Sequence, residues 1–136
     1  MEAAVAEGVK AHLSECSKVL VFDEGNNVLF SNFPVNKMEL PGLSSLLKDR
    51  DAAIKRGAVV AGKRYEVHRH HPPLVYGRNM VEVEPEVSTG WAICQTDLAI
   101  TGRPCYALIT YEMPNISARM VPKLREFSER VLKAKQ

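Results

Sequence analysis

This chain of 136 residues has little of what several functional classes require. Its three cysteines are an odd number without CxxC spacing, which indicates free thiols in a reducing compartment, with at most one disulfide bridge. It has no apolar run near the roughly 20 residues that a membrane helix needs, and the acidic stretch 1–7 is unlike a signal peptide. We therefore expect a cytosolic protein whose residues 1–136 form a single domain that folds without metal or disulfides.

The chain is also poor in net charge and in catalytic signatures. A formal charge of +2 is too small for general nucleic-acid binding, so only local clusters of positive charge are informative. The sequence shows no Ser-His-Asp arrangement, no pair of catalytic carboxylates and no phosphate-binding loop, since Gly57 and Gly62 lack the strand-to-helix context of such a loop. We expect neither enzymatic activity nor a cofactor.

The periodicity of the apolar residues predicts an α+β fold. One apolar stripe marks a helix from residue 2 to about 16, and a last amphipathic helix begins near residue 120, because Pro122 fits only a first turn. Short turns predict a central antiparallel sheet, with the N- and C-terminal helices packed on one face. The predicted strands are 18–23, 28–30, two strands around Gly62, 81–84, 91–95 and 105–111.

A helical region is predicted between the second and third strands. Asn36 is a candidate N-cap, with Glu39 in the capping-box position. Pro41 is an alternative first helical residue. The region continues to about residue 54, and its buried face is formed by Leu43, Leu46 and Leu47.

The hairpin around Gly62 carries the densest positive charge, from Lys63, Arg64, Arg69 and Arg78. Gly62 supplies the turn, because glycine adopts the backbone angles of tight hairpins without steric cost. Strict alternation predicts two faces for the returning strand, with Tyr65, Val67 and Arg69 on one and Arg64, Glu66 and His68 on the other. Solvation of an exposed sheet face would explain these charges, and a surface for an acidic partner is the functional alternative.

Four short motifs follow one another along the chain. They are Leu47-Lys48-Asp49-Arg50, Gly57-x4-Gly62-x2-Tyr65-x-Val67-x-Arg69, Ser88-Thr89-Gly90 and Leu108-Ile109-Thr110-Tyr111. This ordered set resembles the profilins, in particular the divergent testis-type and protist members. The resemblance extends from the first helix to about Leu132. It implies a profilin-like fold and a cytoskeletal regulator that binds monomeric actin.

The resemblance also implies which residues contact the partner. On the sheet they are Arg64, Arg69 and Arg78, and at the start of the last helix they are Arg119 and Lys123. The same basic surface is implied to bind anionic phospholipid headgroups, phosphoinositides among them. Guanidinium groups suit such sites because they form paired hydrogen bonds with carboxylates and phosphates.

Two departures from the profilin pattern change these expectations. Profilins bind proline-rich ligands in an aromatic-lined groove, but the first helix here has no aromatic residue and Leu29 replaces a tryptophan. The corresponding groove would be formed by Val5, Val9, Leu29 and Val131, and we expect it to bind proline-rich ligands weakly or not at all. The second departure is the long loop 97–104, which we expect to reshape or obstruct the actin-facing edge.

Several other residues have a structural and a functional interpretation. His68, His70 and His71 suggest a metal site, but no acidic or cysteine ligand lies nearby in sequence, so solvated histidines are favoured. Cys94 and Cys105 are expected to be buried, inert thiols rather than nucleophiles. Trp91 is expected to pack in the core, and the acidic stretch 81–86 to form a solvated edge.

Alternatives to an actin-monomer binder remain open. A profilin-shaped scaffold subunit without actin binding, in a larger cytoskeletal or ciliary assembly, would also explain the missing aromatic residues and the long loop. The chain is thus expected to act as a monomer or as one subunit of such a complex. A PAS-like or roadblock-like domain has a similar arrangement of helices and antiparallel strands, and fold alone would not then define function.

Overall fold

A computed structural model describes residues 1–79 and 89–134. Within these residues the chain forms four α-helices, a 3₁₀ turn, a π-helical turn and seven strands. In chain order they are α1 (Glu2–His12), β1 (Lys18–Asp23), β2 (Val28–Ser31), the 3₁₀ turn (Lys37–Glu39), α2 (Leu40–Ser45), α3 (Arg50–Arg56), β3 (Ala58–Val60), β4 (Lys63–His71), β5 (Leu74–Asn79), β6 (Thr89–Thr96), β7 (Cys105–Tyr111), α4 (Ser117–Phe127) and the π-helical turn (Ser128–Leu132).

The strands form one sheet in the order β2-β1-β7-β6-β5-β4-β3, and every neighbouring pair is antiparallel. Helices α1 and α4 contact each other and pack on the same face of this sheet, where their apolar residues join those of β1, β6 and β7. The other face carries α2 and packs around Trp91 and Tyr65. The predicted α+β fold, with both terminal helices on one face, is confirmed. The predicted strand 81–84 lies outside the described residues.

The hairpin predicted at Gly62 is formed by β3 and β4. Ala61 and Gly62 both have positive φ angles, of 52° and 79°, which is the geometry of a tight two-residue turn. The carboxylate of Glu39 accepts hydrogen bonds from the backbone N–H groups of both turn residues, each at 2.9 Å. Glu39 therefore supports the hairpin turn instead of completing a capping box, whereas Asn36 does cap the 3₁₀ turn through the N–H of Met38 at 3.0 Å.

The helix ends differ from those that the sequence predicts. Helix α1 ends at His12, and the region up to residue 56 is divided into a 3₁₀ turn and two short helices, because the side chain of Asp49 caps a new helix at Asp51 and Ala52. Helix α4 begins at Ser117, three residues before the predicted start. Pro122 therefore lies beyond the first turn, since tertiary packing outweighs the hydrogen bond that a proline nitrogen cannot donate.

No helix among residues 1–79 and 89–134 combines the length and the apolar character needed to cross a bilayer.

Candidate functional site

A β-bulge in β4 decides which face the arginines occupy. Val67 pairs with Gly77, but Arg69 pairs with Tyr76, so His68 is left without a cross-strand partner. This extra residue reverses the alternation. Strict alternation grouped Arg69 with the buried residues Tyr65 and Val67, and that prediction is wrong. Arg69 instead lies opposite Tyr76, on the sheet face that carries the terminal helices.

The bulge brings Arg69 and Arg78 to one surface, and we call these two residues the sheet pair. They border a shallow cavity of about 350 Å³ beyond the edge of α4. None of the described residues that line this cavity is acidic; they are His68, Arg69, Tyr76, Gly77, Arg78 and Ser117. Glu66 lies directly across the β4–β5 pair from Arg78, but its carboxylate is 3.3 Å from the ring nitrogen Nε2 of His68 and forms no ion pair with either arginine among the described residues. The cavity is thus a concentration of positive charge with hydroxyl groups at its border.

Arg78 is the more enclosed member of the sheet pair. Its Nη2 points to the sulfur of Met113 at 3.7 Å, which is a weak acceptor. Its Nη1 is buried and has no hydrogen-bond partner among the described residues. A buried donor without a partner costs about 1–3 kcal/mol, and more when the group is charged. Arg78 as a whole is partly exposed, so only the rest of its side chain is accessible to a partner.

Gly77 allows β4 and β5 to approach each other closely. A Cβ atom at this position would lie 1.9 Å from the carbonyl oxygen of Glu66, which is far below any allowed contact. Since Gly77 lies between Tyr76 and Arg78, this close approach fixes the register that sets the sheet pair side by side.

Arg119 and Lys123 form a second basic group, which we call the helix pair. They are one turn apart on α4, on the side that faces the loop after α1. Glu15 in that loop binds both, with a distance of 2.8 Å from its Oε2 to Nη2 of Arg119 and a short hydrogen bond from Lys123 to Oε1. The hydrogen bond from Lys123 and the nearby charge of Arg119 lower the pKa of Glu15, so this carboxylate is ionised at neutral pH. One negative charge therefore offsets part of the helix pair.

The turn between β7 and α4 connects the two basic groups. Met113 in this turn accepts from Arg78, and Asn115 accepts from Nη1 of Arg119 at 2.7 Å. The sheet pair and the helix pair thus lie on opposite flanks of the start of α4, joined through residues 112–116.

Arg64, the fifth predicted contact, belongs to neither group. Its guanidinium donates to the carbonyl oxygens of Arg56, at 3.2 Å, and Lys55, at 3.4 Å. These carbonyl groups end α3 and have no partner within the helix, so Arg64 completes the end of that helix. The structure does not bring its charge into the cavity of the sheet pair.

The predicted groove for proline-rich ligands is largely filled. Val5 and Val9 are buried in the core, while Leu29 and Val131 are partly buried against the same cluster. Helix α1 approaches the π-helical turn closely at Gly8, where a Cβ atom would lie 2.5 Å from a methyl carbon of Val131. Aliphatic side chains therefore close this surface: Val5 is fully buried, Val9 retains 7% exposure, and only Leu29 and Val131 are partly exposed.

The histidines and thiols have separate environments. His70 lies on the opposite face of β4, with Nε2 2.7 Å from the carbonyl oxygen of Leu46, and the bulge separates it from His68.

Burial raises the pKa of the Cys94 and Cys105 thiols, and raises that of Cys16 to about 12. Cys94 and Cys105 are buried, as predicted, and all three thiols are protonated at neutral pH.

Two further predictions concern Trp91 and the long loop. Trp91 is fully buried and donates its indole N–H to the carbonyl oxygen of Glu66 at 2.8 Å, which confirms that it packs in the core. Loop 97–104 packs against the end of the chain through hydrogen bonds from Ile100 to Leu132 and from Ala134 to Leu98. It follows the end of β6 that lies farthest from Arg78, so it does not border the sheet pair.

Sequence reasoning missed Glu15, Tyr76, Met113 and Ser117. Glu15 is 104 residues from Arg119, and nothing in the local pattern of either residue indicates their contact. Tyr76 and Ser117 could have been predicted, because the first follows from a correct register of β4 on β5 and the second from a correct start of α4.

Comparison with solved structures identifies the fold. Profilin II of Acanthamoeba castellanii superimposes with a TM-score of 0.73 at 16% identity over 93% of this chain and 92% of its own. Profilin of Schizosaccharomyces pombe gives 0.73 at 15% identity, over 94% and 93%. The chain has the profilin fold. LokiProfilin1, solved in complex with rabbit actin, shares this profilin fold with a TM-score of 0.67 at 11% identity, over 95% and 91%. No family model and no curated protein matches the sequence.

Proposed function

We propose that this protein binds monomeric actin through the sheet pair and the start of α4, and thereby regulates actin assembly without chemistry of its own. The observation that carries the proposal is the cavity bordered by Arg69 and Arg78, with no acidic residue among its described lining. Shared fold adds support, because LokiProfilin1 and LokiProfilin2 were both solved in complex with rabbit actin.

The physical basis is charge complementarity on a rigid surface. Two guanidinium groups fixed by neighbouring strands can each form paired hydrogen bonds with a carboxylate of an acidic partner. Because the strands hold their backbones in register, docking has to order only the arginine side chains and not the segments that carry them. We expect Arg78 to contribute the larger share of the affinity, because it is the more enclosed of the two arginines and enclosed contacts exclude water.

A titration of purified protein against actin monomers tests the proposal, with pyrene-labelled actin to follow assembly. We expect saturable binding and slower spontaneous assembly. The double variant Arg69→Glu/Arg78→Glu should abolish both effects. Its matched control is Lys37→Glu/Arg50→Glu, which changes the net charge equally but lies outside the cavity and the helix pair. Absence of binding by the wild-type protein at tens of micromolar would exclude the proposal.

A second candidate ligand for the same surface is an anionic phospholipid headgroup, phosphoinositides included. The absence of acidic residues from the described lining of the cavity favours phosphate as it does carboxylate. Each basic residue near an anionic membrane contributes about 1 kcal/mol, and salt screens the effect. Liposome co-sedimentation should therefore weaken as ionic strength rises, and binding insensitive to salt would contradict this assignment.

The competing scaffold hypothesis shares the fold but not the partner. It is favoured by the closed aliphatic surface at Val5, Val9, Leu29 and Val131, which offers no aromatic platform to proline-rich ligands. A pull-down from cell extract distinguishes the two: a stable complex that lacks actin supports a scaffold subunit, for instance in a cilium or flagellum. Recovery of actin supports the cytoplasmic, cytoskeletal role that we propose.

A further inference from the structure

We propose that Glu15 is a built-in competitor for the partner's carboxylates, which occupies Arg119 and Lys123 and so limits how strongly the helix pair contributes to docking. This inference rests on the proposed function, because it concerns the regulation of the same surface. It assigns a role to a residue that lies on neither the sheet nor α4.

Glu15 accepts hydrogen bonds from the same donors that a partner's acidic side chain would need. Arg119 donates from Nη2 to both carboxylate oxygens, at 3.0 Å to Oε1 and 2.8 Å to Oε2, and Lys123 donates to Oε1. A docking carboxylate would need these same donors. The second nitrogen of the fork, Nη1 of Arg119, already donates to Asn115 at 2.7 Å. Most of the fork of Arg119 is therefore satisfied within the free protein.

A partner's carboxylate could displace Glu15 from Arg119. The side chains of Arg119 and Glu15 are 52% and 36% exposed, so the ion pair lies at the surface and exchanges a carboxylate at little cost. The backbone carbonyl of Glu15 accepts from the side chain of Asn115 at 3.3 Å, which holds its loop beside α4. Glu15 is thus kept within reach of the helix pair without being buried.

The charge balance predicts the direction of the effect. Arg119 and Lys123 carry two positive charges, of which Glu15 offsets one. Replacing Glu15 with glutamine removes that negative charge, keeps the side-chain volume and frees donors on both residues. An acidic partner should then associate faster and bind more tightly, because a surface charge acts mainly on the association rate.

The test compares Glu15→Gln with Glu7→Gln, a matched control that makes the same charge change on an exposed residue of α1. For binding to actin monomers at low ionic strength, we expect Glu15→Gln to lower Kd by about two- to fivefold, chiefly through the association rate. Glu7→Gln should change Kd by less than about 1.5-fold, because its charge is more distant and screened. Thermal unfolding of both variants shows whether each remains folded.

A third variant makes the test specific. In the background Arg119→Gln/Lys123→Gln, the gain from Glu15→Gln should disappear, because the carboxylate no longer has cations to occupy. Persistence of the gain there, or an unchanged or weaker affinity of Glu15→Gln, would overturn the role of Glu15 and leave actin binding intact. A wild-type protein that does not bind actin at all would overturn the proposed function and this inference together.

Discussion

The sheet pair and the helix pair each place two cations beside the start of α4, but their surroundings differ. Arg69 and Arg78 border a cavity whose described lining has no acidic residue, and one nitrogen of Arg78 has no partner among the described residues. Arg119 and Lys123 share the carboxylate of Glu15. The internal carboxylate that pairs with a cation, rather than the number of arginines, therefore decides which cations are available to a partner.

The two groups are also held in place by different means. The sheet pair depends on a bulge at His68 and on the close approach of strands at Gly77, so its geometry is set by the pairing of β4 with β5. The helix pair needs only a four-residue spacing on one helix. Substitutions in the sheet should therefore affect both stability and docking strongly, whereas substitutions in the helix pair should affect mainly docking and remove only the small stabilisation from surface ion pairs.

The largest expected effect comes from Gly77→Ala, which disturbs the sheet pair without changing either arginine. The new Cβ would lie 1.9 Å from the carbonyl oxygen of Glu66, so β4 must move away from β5. We expect a loss of about 2–4 kcal/mol in the free energy of unfolding, measured by urea denaturation, and weaker actin binding.

Gly42→Ala is the control for this substitution. Gly42 lies in α2 with no atom within 4 Å of the added Cβ, so alanine should leave the stability unchanged or raise it by about 0.5–1 kcal/mol. Equal effects of the two substitutions would contradict the close strand contact on which the sheet pair depends.

The next effect compares the two groups directly by removing two positive charges from each. We expect Arg69→Gln/Arg78→Gln to weaken actin binding by tenfold or more, on the order of 1.4 kcal/mol, because it removes partners that meet the carboxylates directly. Arg119→Gln/Lys123→Gln should cost about threefold or less, because Glu15 already occupies that pair. Calorimetric titration measures both, and the reverse order would show that the helix pair is the principal contact.

A smaller effect concerns Arg64, which sequence resemblance groups with the sheet pair. Arg64→Gln removes two hydrogen bonds to the end of α3 and should lower the free energy of unfolding by about 1 kcal/mol or less. Its actin affinity should stay within about twofold of the wild type, because its guanidinium faces α3. A loss of affinity as large as that of Arg78→Gln would place Arg64 in the interface after all.

The smallest effect is a pH dependence specific to the helix pair. The pKa of Glu15 is lowered in the folded protein, first by the hydrogen bond from Lys123, so its ion pairs stabilise the fold above the unfolded-state pKa of about 4.5. This contribution is lost as the pH falls through the lowered folded-state pKa. The wild type should thus be more stable than Glu15→Gln at pH 7, and the difference in Tm should shrink as the pH is lowered below 4.5 and Glu15 becomes protonated. A difference that stays constant over this acid range would show that Glu15 acts through packing instead.

Much of the fold could be predicted from the sequence, because it rests on local signals. The turn at Gly62, the apolar stripe of α1 and the largely apolar strand ending at Tyr111 can each be recognised within a dozen residues. Their order along the chain also sufficed to recognise the resemblance to profilins.

The candidate site was less predictable, for two physical reasons. The bulge at His68 inserts one residue and exchanges the faces of everything after it, and no residue type marks its position. The contact of Glu15 with Arg119 joins residues that are 104 positions apart, and it forms only when α1 and α4 pack together. For Arg64 the sequence predicts an available cation, but its guanidinium donates a hydrogen bond to the end of α3.

Chemical footprinting of arginine side chains with and without actin monomers, read by mass spectrometry, tests whether the sheet pair contacts actin. An arginine-selective reagent reports on each guanidinium separately, so it locates the contact and does not merely detect binding. We predict that actin reduces the labelling of Arg69 and Arg78 severalfold, while Arg50 and Arg103 keep their reactivity. Unchanged labelling of the sheet pair in a sample that binds actin would show that actin contacts a different surface.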